Sequence, residues 1–359
     1  MKLLGTILSA PLAWLYGGVI DIRHRLFDWG VLKSREFDIP IICVGNLTGG
    51  TGKTPHTERL IELLDSEFHV AVLSRGYKRK TKGFLLATVT SSFKKVGDEP
   101  KQIKLKSPHI PVAVCERRVE GIERLREAHP EVNLIILDDA FQHRYVKPWV
   151  NIVLMDYHNP VYEDRMLPLG RLRDRPAQLS RAQIVIVTKC PEEMKPLDYR
   201  IVSKNLDLYP YQSLYFTRMV SEPPKPLYPS YNQPATLPER TPVIAMVGIA
   251  NPTRFLAGLE ARYDLRQTFV FRDHYTFKMK DIHAAEEALA GCPPETVVVV
   301  TEKDAVRLMN SRKISDDFKR RLYYVSIRVE FLENRESDFR RQLEQYVREN
   351  QKYNVLHPE

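Results

Sequence analysis

Cysteine is scarce in this chain and never paired. Its 359 residues include four, Cys43, Cys115, Cys190 and Cys292, far apart and with no CxxC spacing. That leaves no basis for a disulfide framework. Three of the four lie in or beside apolar strand-like runs, where a thiol behaves as a small buried hydrophobe, so they read as reduced and structural, and the compartment as cytosolic. A membrane-spanning run is missing too. Residues 7–20 are apolar apart from Ser9, but a bilayer crossing needs ~20 apolar residues. No A-x-A cleavage site follows to make the run a signal peptide. Arg23, His24, Arg25 and Lys33 come soon after it. The segment therefore reads either as a helix packed on the protein or as one lying in a membrane surface, arginines on headgroups. Internal repeats and low-complexity tracts are also absent.

What is present suits a folded enzyme of about two domains. The chain is 43% hydrophobic and 28% charged, enough to bury a core and too apolar for a disordered tail. Its net charge of +9 suits nucleic acid, anionic lipid or phosphorylated substrates without choosing among them. No aromatic-basic module supports nucleic acid.

Strand-like and helix-like runs alternate through the first half. Strands are expected at 39–44, 69–73, 111–115, 133–137, 151–155 and 183–188, short and apolar on both faces as buried parallel strands are. Helices are expected at 53–64, 117–128 and near 197–208. This is the βαβ pattern of a doubly wound, mostly parallel α/β sheet, with ligands at the carboxyl ends of its strands. Residues 221–242 carry seven of the 25 prolines and read as a linker. Beyond it, strands at 243–247, 265–271, 296–300 and 322–327 alternate with helices at 253–261, 281–290, 303–309 and 334–349. The expectation is a P-loop NTPase-type domain over 36–220, a Pro-rich linker over 221–242 and a smaller α/β domain over 243–359.

Chemistry concentrates first at Thr48-Gly49-Gly50-Thr51-Gly52-Lys53-Thr54, between an expected strand and an expected helix. Backbone N–H groups of such a turn cradle phosphate oxygens, the lysine reaches the β/γ-phosphates, and the hydroxyl after it ligates Mg²⁺. The usual G-x-x-x-x-G-K-[ST] spacing would put glycine at position 47, where this chain has Leu47. The bland alternative is a glycine-rich turn that binds nothing. Asp138-Asp139 closes an apolar strand, as a Walker B pair facing Mg²⁺ does, or simply forms a turn. Asp98 and Glu99 precede a helix, where an N-cap competes with a general base. His274, in Arg272-Asp273-His274-Tyr275, is a surface or capping residue, or an imidazole that orients a base across a cleft. Arg75, Arg117, Arg118, Arg171, Arg173 and Arg175 are candidate phosphate clamps.

These residues occur in an order that resembles a known family. Val44-Gly45-Asn46-Leu47-Thr48 runs into the glycine-rich loop and Pro55. Ser74-Arg75-Gly76-Tyr77, Gly97-Asp98-Glu99-Pro100, Asp138-Asp139-Ala140-Phe141-Gln142-His143, Leu169-Gly170-Arg171-Leu172-Arg173-Asp174, Asp273-His274-Tyr275 and Thr301-Glu302-Lys303-Asp304 follow. Together they resemble the tetraacyldisaccharide 4′-kinases of lipid A biosynthesis over nearly the whole chain. The resemblance implies transfer of the γ-phosphate of ATP, with Mg²⁺, to the 4′-hydroxyl of a tetraacylated disaccharide 1-phosphate. It implies Lys53 and Thr54 on phosphate and Mg²⁺, Asp138 and Asp139 as the Walker B pair with Gln142 and His143 nearby, and Asp98 as catalytic base with His274 as its partner from the other domain. It also implies that residues 1–35 dock on the cytoplasmic face of a Gram-negative inner membrane, with no nucleic acid and no obligate protein partner. Two features depart from the family pattern. The loop is one residue shorter between Asn-Leu-Thr and Gly-Gly, and Asp174 stands where a glutamate near the metal is common.

The expected rivals are a P-loop GTPase or metallochaperone, and a nucleotide-gated membrane-binding protein. Guanine recognition uses Asn/Thr-Lys-x-Asp, but Pro191 follows Thr188-Lys189-Cys190, and Thr301-Glu302-Lys303-Asp304 is out of register.

Overall fold

The computed structural model describes residues 2–231, 233–309 and 314–356. The chain starts with a long helix, α1 (Lys2–Asp28), then follows β1 (Ile41–Asn46), α2 (Lys53–Leu64), β2 (Val70–Ser74), β3 (Leu85–Ala87), α3 (Phe93–Val96) and α4 (Asp98–Lys106). It continues through β4 (Val112–Val114), α5 (Arg118–Ala128), β5 (Leu134–Asp138), β6 (Val150–Asp156), β7 (Ile184–Thr188), α6 (Pro196–Leu206) and β8 (Ser213–Ser221). A second unit holds β9 (Lys225–Pro226), β10 (Pro242–Val247), α7 (Thr253–Arg262), β11 (Asp264–Val270), α8 (Met279–Ala290), β12 (Val297–Thr301), α9 (Glu302–Leu308), α10 (Asp316–Arg320) and β13 (Leu322–Val325). The chain then returns through β14 (Ile327–Phe331) and α11 (Glu336–Leu356).

Nine strands form the large sheet in the order β14-β8-β7-β6-β1-β5-β2-β4-β3. Its interior is parallel, and β14 and β3 close the edges antiparallel. Alternate residues of β1 enter opposite cores. Ile41 and Cys43 pack with Leu73, Leu137 and Val153, and Ile42 and Val44 with Val72, Ile136 and Ile152. Burial on both faces is why these strands read as unbroken apolar runs. The buried thiols of Cys43 and Cys190 are pushed up to about 12, mainly by desolvation, so they are inert as nucleophiles. The small sheet, β11-β10-β12-β13-β9, is likewise parallel except for its β9 edge.

The division expected at 243–359 needs correction. Residues 322–327, read as one strand, are parts of two: β13 pairs β12 in the small sheet, and β14 pairs β8 in the large one. Phe339, Leu343 and Val347, one helical face of α11, then join the core of the large sheet. The Pro-rich stretch is also not purely linker, because Lys225–Pro226 pairs with β13. The chain thus crosses between units twice, and the crossings are tied together. Glu222 N donates to Ser326 O (2.9 Å), and Ser326 Oγ donates to Glu222 Oε2 (2.6 Å).

Candidate active site

Strand β1 lies between β5 and β6, so the loop after it opens at the point where the order of connections reverses, the usual ligand crevice of such sheets. The turn is made by Gly50 (φ +77°) and Gly52 (φ +84°). Leu47, at the position where the usual signature has glycine, is fully buried in the core, and its carbonyl accepts from Arg173 N (2.7 Å). Gly52 is constrained in two ways. Its φ is left-handed, and a Cβ there would come within 1.7 Å of Met219 Cε. Polar contacts fasten the loop: Asn46 Nδ2 donates to Thr51 Oγ1 (2.7 Å), Thr188 Oγ1 to Thr51 O (2.9 Å) and Gln142 Nε2 to Asn46 O (2.7 Å). Buried His56 donates from Nδ1 to Gly52 O (2.7 Å), and desolvation holds it neutral, its pKa lowered to about 4.

Lys53 and Thr54 open α2, Thr54 buried and Lys53 with Nζ 3.5 Å from Asp139 Oδ1. Thr57 and Ser74 hydroxyls hold the two oxygens of Asp138 at 3.3 and 3.1 Å. Neither was anticipated. Thr57 lies three residues beyond Thr54 on the same helix, and Ser74 ends the neighbouring strand. Asp138 is fully buried, and desolvation, with Glu99 and Asp139 adding repulsion, raises it to about 7. Asp139 Oδ1 is a buried oxygen without a hydrogen-bond donor. A buried hydroxyl and two adjacent carboxylates, one with a buried oxygen met only by the 3.5 Å ionic approach of Lys53, fit a hard divalent cation that keeps water and phosphate oxygens as its other ligands.

Asp174, the expected fourth member of that set, has one buried oxygen, Oδ2, without a hydrogen-bond partner. Among the described residues no three of Asp, Glu, His and Cys converge as a cation cage. Asp174 is buried, and its other oxygen, Oδ1, accepts from His24 Nε2 of α1 (2.8 Å) and Arg175 N (2.9 Å). The arginines divide similarly. Arg173 reaches Asp139 (3.5 Å), while Arg171 is held by Asp164 (3.1 Å) and Asn159 (2.5 Å). Arg175 pairs with Asp21 of α1 (2.8 Å). Arg117 is 85% exposed beside Glu120 and is not drawn into the crevice. Arg118 is buried, donating to Cys115 O (2.6 Å), so it is a fixed cation near the aspartate pair. Arg75 is exposed just beyond the carboxyl end of β2. His143 is lowered to about 4 by desolvation and by Arg118, which suits a neutral packing group.

Across the crevice, Asp98 begins α4 and meets the second unit. His274 Nδ1 lies 3.0 Å from Asp98 Oδ2, with His274 in a left-handed conformation (φ 59°). Arg307 of α9 donates to the same oxygen from Nε (2.9 Å) and Nη2 (2.7 Å). Desolvation pushes the Asp98 carboxyl up, but the His274 hydrogen bond and the Arg307 charge outweigh it and hold it below its ordinary range. Sequence reasoning missed Arg307. The available signal was its place three residues after Asp304 on a short helix.

α1 docks beside this crevice. Tyr16 Oη donates to Arg173 O (3.0 Å) and Arg23 Nη2 to Gln142 O (3.0 Å). Its other side leaves Trp14 81%, Leu15 61%, Val19 57% and Ile22 59% exposed. No described helix is long and apolar enough to cross a membrane.

A phosphate loop at the switch point of a largely parallel sheet, its lysine turned toward the aspartates that end the neighbouring strand, places the chain among the P-loop kinases. Its relatives are consistent. A family model described as tetraacyldisaccharide-1-P 4′-kinase matches residues 5–348, and the chain belongs to that family. The tetraacyldisaccharide 4′-kinase of Bacteroides thetaiotaomicron is 45% identical over 352 residues, covering 95% of this chain and 93% of that one. That of Flavobacterium psychrophilum is 40% identical over 342 residues, covering 94% and 95%. A crystal structure of LpxK from Aquifex aeolicus in complex with ATP superposes with a TM-score of 0.72 at 25% identity, covering 95% of this chain and 99% of that one.

Proposed function

We propose that this kinase transfers the γ-phosphate of ATP to the 4′-hydroxyl of a tetraacylated disaccharide 1-phosphate, using Lys53 and the loop around it for the donor and Asp98 for the acceptor proton. The observation that carries this reading is the Asp98–His274 pair, 3.0 Å apart and built from both units. A nucleotide switch has no need of such a pair, whereas a kinase must receive a hydroxyl proton.

Phosphoryl transfer passes through a loose transition state, so most of the work is positioning and charge neutralisation. The backbone N–H groups of the glycine-rich turn and Lys53 would hold the ATP phosphates. Thr54, Asp138 and Asp139 would hold Mg²⁺, which would supply positive charge to offset that of the phosphates. Arg118 and Arg173 add fixed positive charge around the aspartate pair. Asp98 is a weak base, which suits a sugar hydroxyl whose proton becomes acidic only as its bond to phosphorus forms.

The exposed apolar side of α1 supports peripheral attachment to the cytoplasmic face of the inner membrane, where an acylated substrate would lie. The +9 net charge suits both a phosphorylated substrate and an anionic leaflet. The test is to incubate the full chain with Mg²⁺, γ-labelled ATP and the disaccharide 1-phosphate. Labelled bisphosphorylated lipid is expected; preference for GTP, or ATP hydrolysis without lipid labelling, would sink the assignment.

A further inference from the structure

Thr301-Glu302-Lys303-Asp304 stood out in the sequence without a function, and the fold shows what it does. Thr301 Oγ1 caps α9 by accepting from Asp304 N (3.3 Å). Glu302 accepts from Gln102 Nε2 (3.1 Å) and Lys303 donates to Glu99 (3.1 Å), both partners on α4. Asp304 is fully buried. Its Oδ2 accepts from Gly248 N (2.9 Å) and Thr301 Oγ1 (2.7 Å), and its Oδ1 accepts from Arg307 Nη1 (2.9 Å). Arg307 also donates to Gly248 O (3.0 Å), and its side chain is 1% exposed. The guanidinium is therefore fixed within its own unit by contacts that do not involve Asp98.

Of its three remaining N–H groups, the one on Nε and one on Nη2 go to Asp98 Oδ2. Arginine only donates and an ionised carboxylate only accepts, so His274 must carry its proton on Nδ1 to share that oxygen. The 3.4 Å approach of Arg307 Nη2 to His274 Nδ1 is then two donors side by side at one acceptor. Three N–H groups converge on Oδ2, and among the described residues no donor reaches Oδ1, although the Asp98 side chain is 14% exposed.

We propose that Arg307, clamped by Asp304, is a positioning residue for phosphoryl transfer that pins one oxygen of Asp98 and leaves the other presented to the acceptor hydroxyl. The proposal rests on the reading of Asp98 as the base. It also makes that base conditional on the approach of the second unit, since both groups that orient Asp98 come from there. The surroundings agree. The charged groups about Asp98 are Arg307, Asp304 and Lys303 from α9, His274 and Asp273 from the loop after β11, and Glu99 beside it on α4. Tyr77 packs edge-on against the His274 ring (5.9 Å between centroids). Arg307 makes more than one close ionic contact to Asp98, and an opposite charge at this range keeps a carboxylate ionised.

A double-mutant cycle tests it, measured on the full chain with saturating Mg²⁺-ATP and detergent-dispersed disaccharide 1-phosphate. Arg307→Gln should lower kcat about 10²-fold, the scale of a misplaced reacting group, with KM for ATP changed less than about twofold. Arg307→Lys should recover roughly tenfold of that loss, since charge returns without the fork. The acidic limb of kcat should rise by about one pH unit or more in Arg307→Gln. On an Asp98→Asn background, Arg307→Gln should cost less than about threefold further, because its partner is already gone. Full multiplicative losses on that background, or an unmoved acidic limb, overturn the proposal. If Arg307→Gln does not fold, Asp304→Asn, which frees the guanidinium without removing it, gives the same readout and the same overturning result. Near-normal kcat in Asp98→Asn alone is a different failure, that of the base reading itself.

Discussion

Asp98, the proposed base, owes its ionisation to its surroundings. Burial alone would raise its carboxyl, yet His274 and Arg307 bring it below the ordinary carboxylate range. The sign follows directly. A lowered folded-state value means the ionised form is favoured, so the stability it contributes is full above the unfolded value of roughly 3.9 and is lost as pH falls through the lower folded one. In catalysis, kcat at saturating Mg²⁺-ATP should show no acidic limb from Asp98 between about pH 5 and 8. A pH–rate series on the wild-type protein checks this, and a limb near pH 6 that vanished in Asp98→Asn would contradict it. Residues that resemble site groups in sequence separate here by burial. His143 is half-buried and neutral, Arg117 is solvated, and Arg173, two residues beyond Arg171, is the arginine that reaches Asp139.

Local elements carry two further expectations. The turn into α2 needs glycine at 52 because φ is +84° and Met219 occupies the space a Cβ would take. Gly52→Ala should cost about 1–3 kcal/mol in backbone strain and weaken ATP binding. Adding Met219→Ala should relieve the clash but not the φ, so thermal melting of the double variant should recover only in part. α1 has two unlike sides. Leu15→Glu with Val19→Glu, both on the exposed side, should lower partition onto anionic vesicles roughly tenfold while leaving kcat on detergent-dispersed substrate unchanged. Equal vesicle recovery would return the helix to a purely packing role. Point changes are the better probe than deleting α1, because Tyr16 and His24 also hold Arg173 and Asp174 in place.

At the scale of the whole molecule, two units share one chain that leaves the large sheet after β8 and returns at β14. The return is structural as well as topological. Phe339 of α11 is 1% exposed and packs edge-on against Tyr215 of β8 (5.1 Å between centroids). Phe339→Ala should destabilise the large-sheet unit by about 3–5 kcal/mol, read as a lower denaturation midpoint for that unit. Loss confined to the small sheet would show that α11 belongs there instead. Two tied crossings leave the units joined at one edge, and α4 meets α9 through Asp98–Arg307, Glu99–Lys303 and Lys106–Glu302. The contacts between the units and the proposed base therefore meet at α4.

The sequence by itself determined most of the large sheet, because buried parallel strands must be apolar on both faces and helices must repeat every 3.6 residues, and both patterns are local. It also determined the phosphate loop, since a left-handed turn before a lysine requires glycine, and the Asp138-Asp139 strand end. Only the tertiary structure decided which carboxylates face which cations. Asp98 and Arg307 are 209 residues apart, and Asp174 is drawn to His24, 150 residues away. Pairs of charged side chains leave no periodicity in the chain, so nothing local distinguishes a solvated arginine from one bound to a distant carboxylate. The change of sheet at Ser326 was hidden for a related reason. The residues on both sides are good strand formers, and their partners are set by the fold rather than by their own preference.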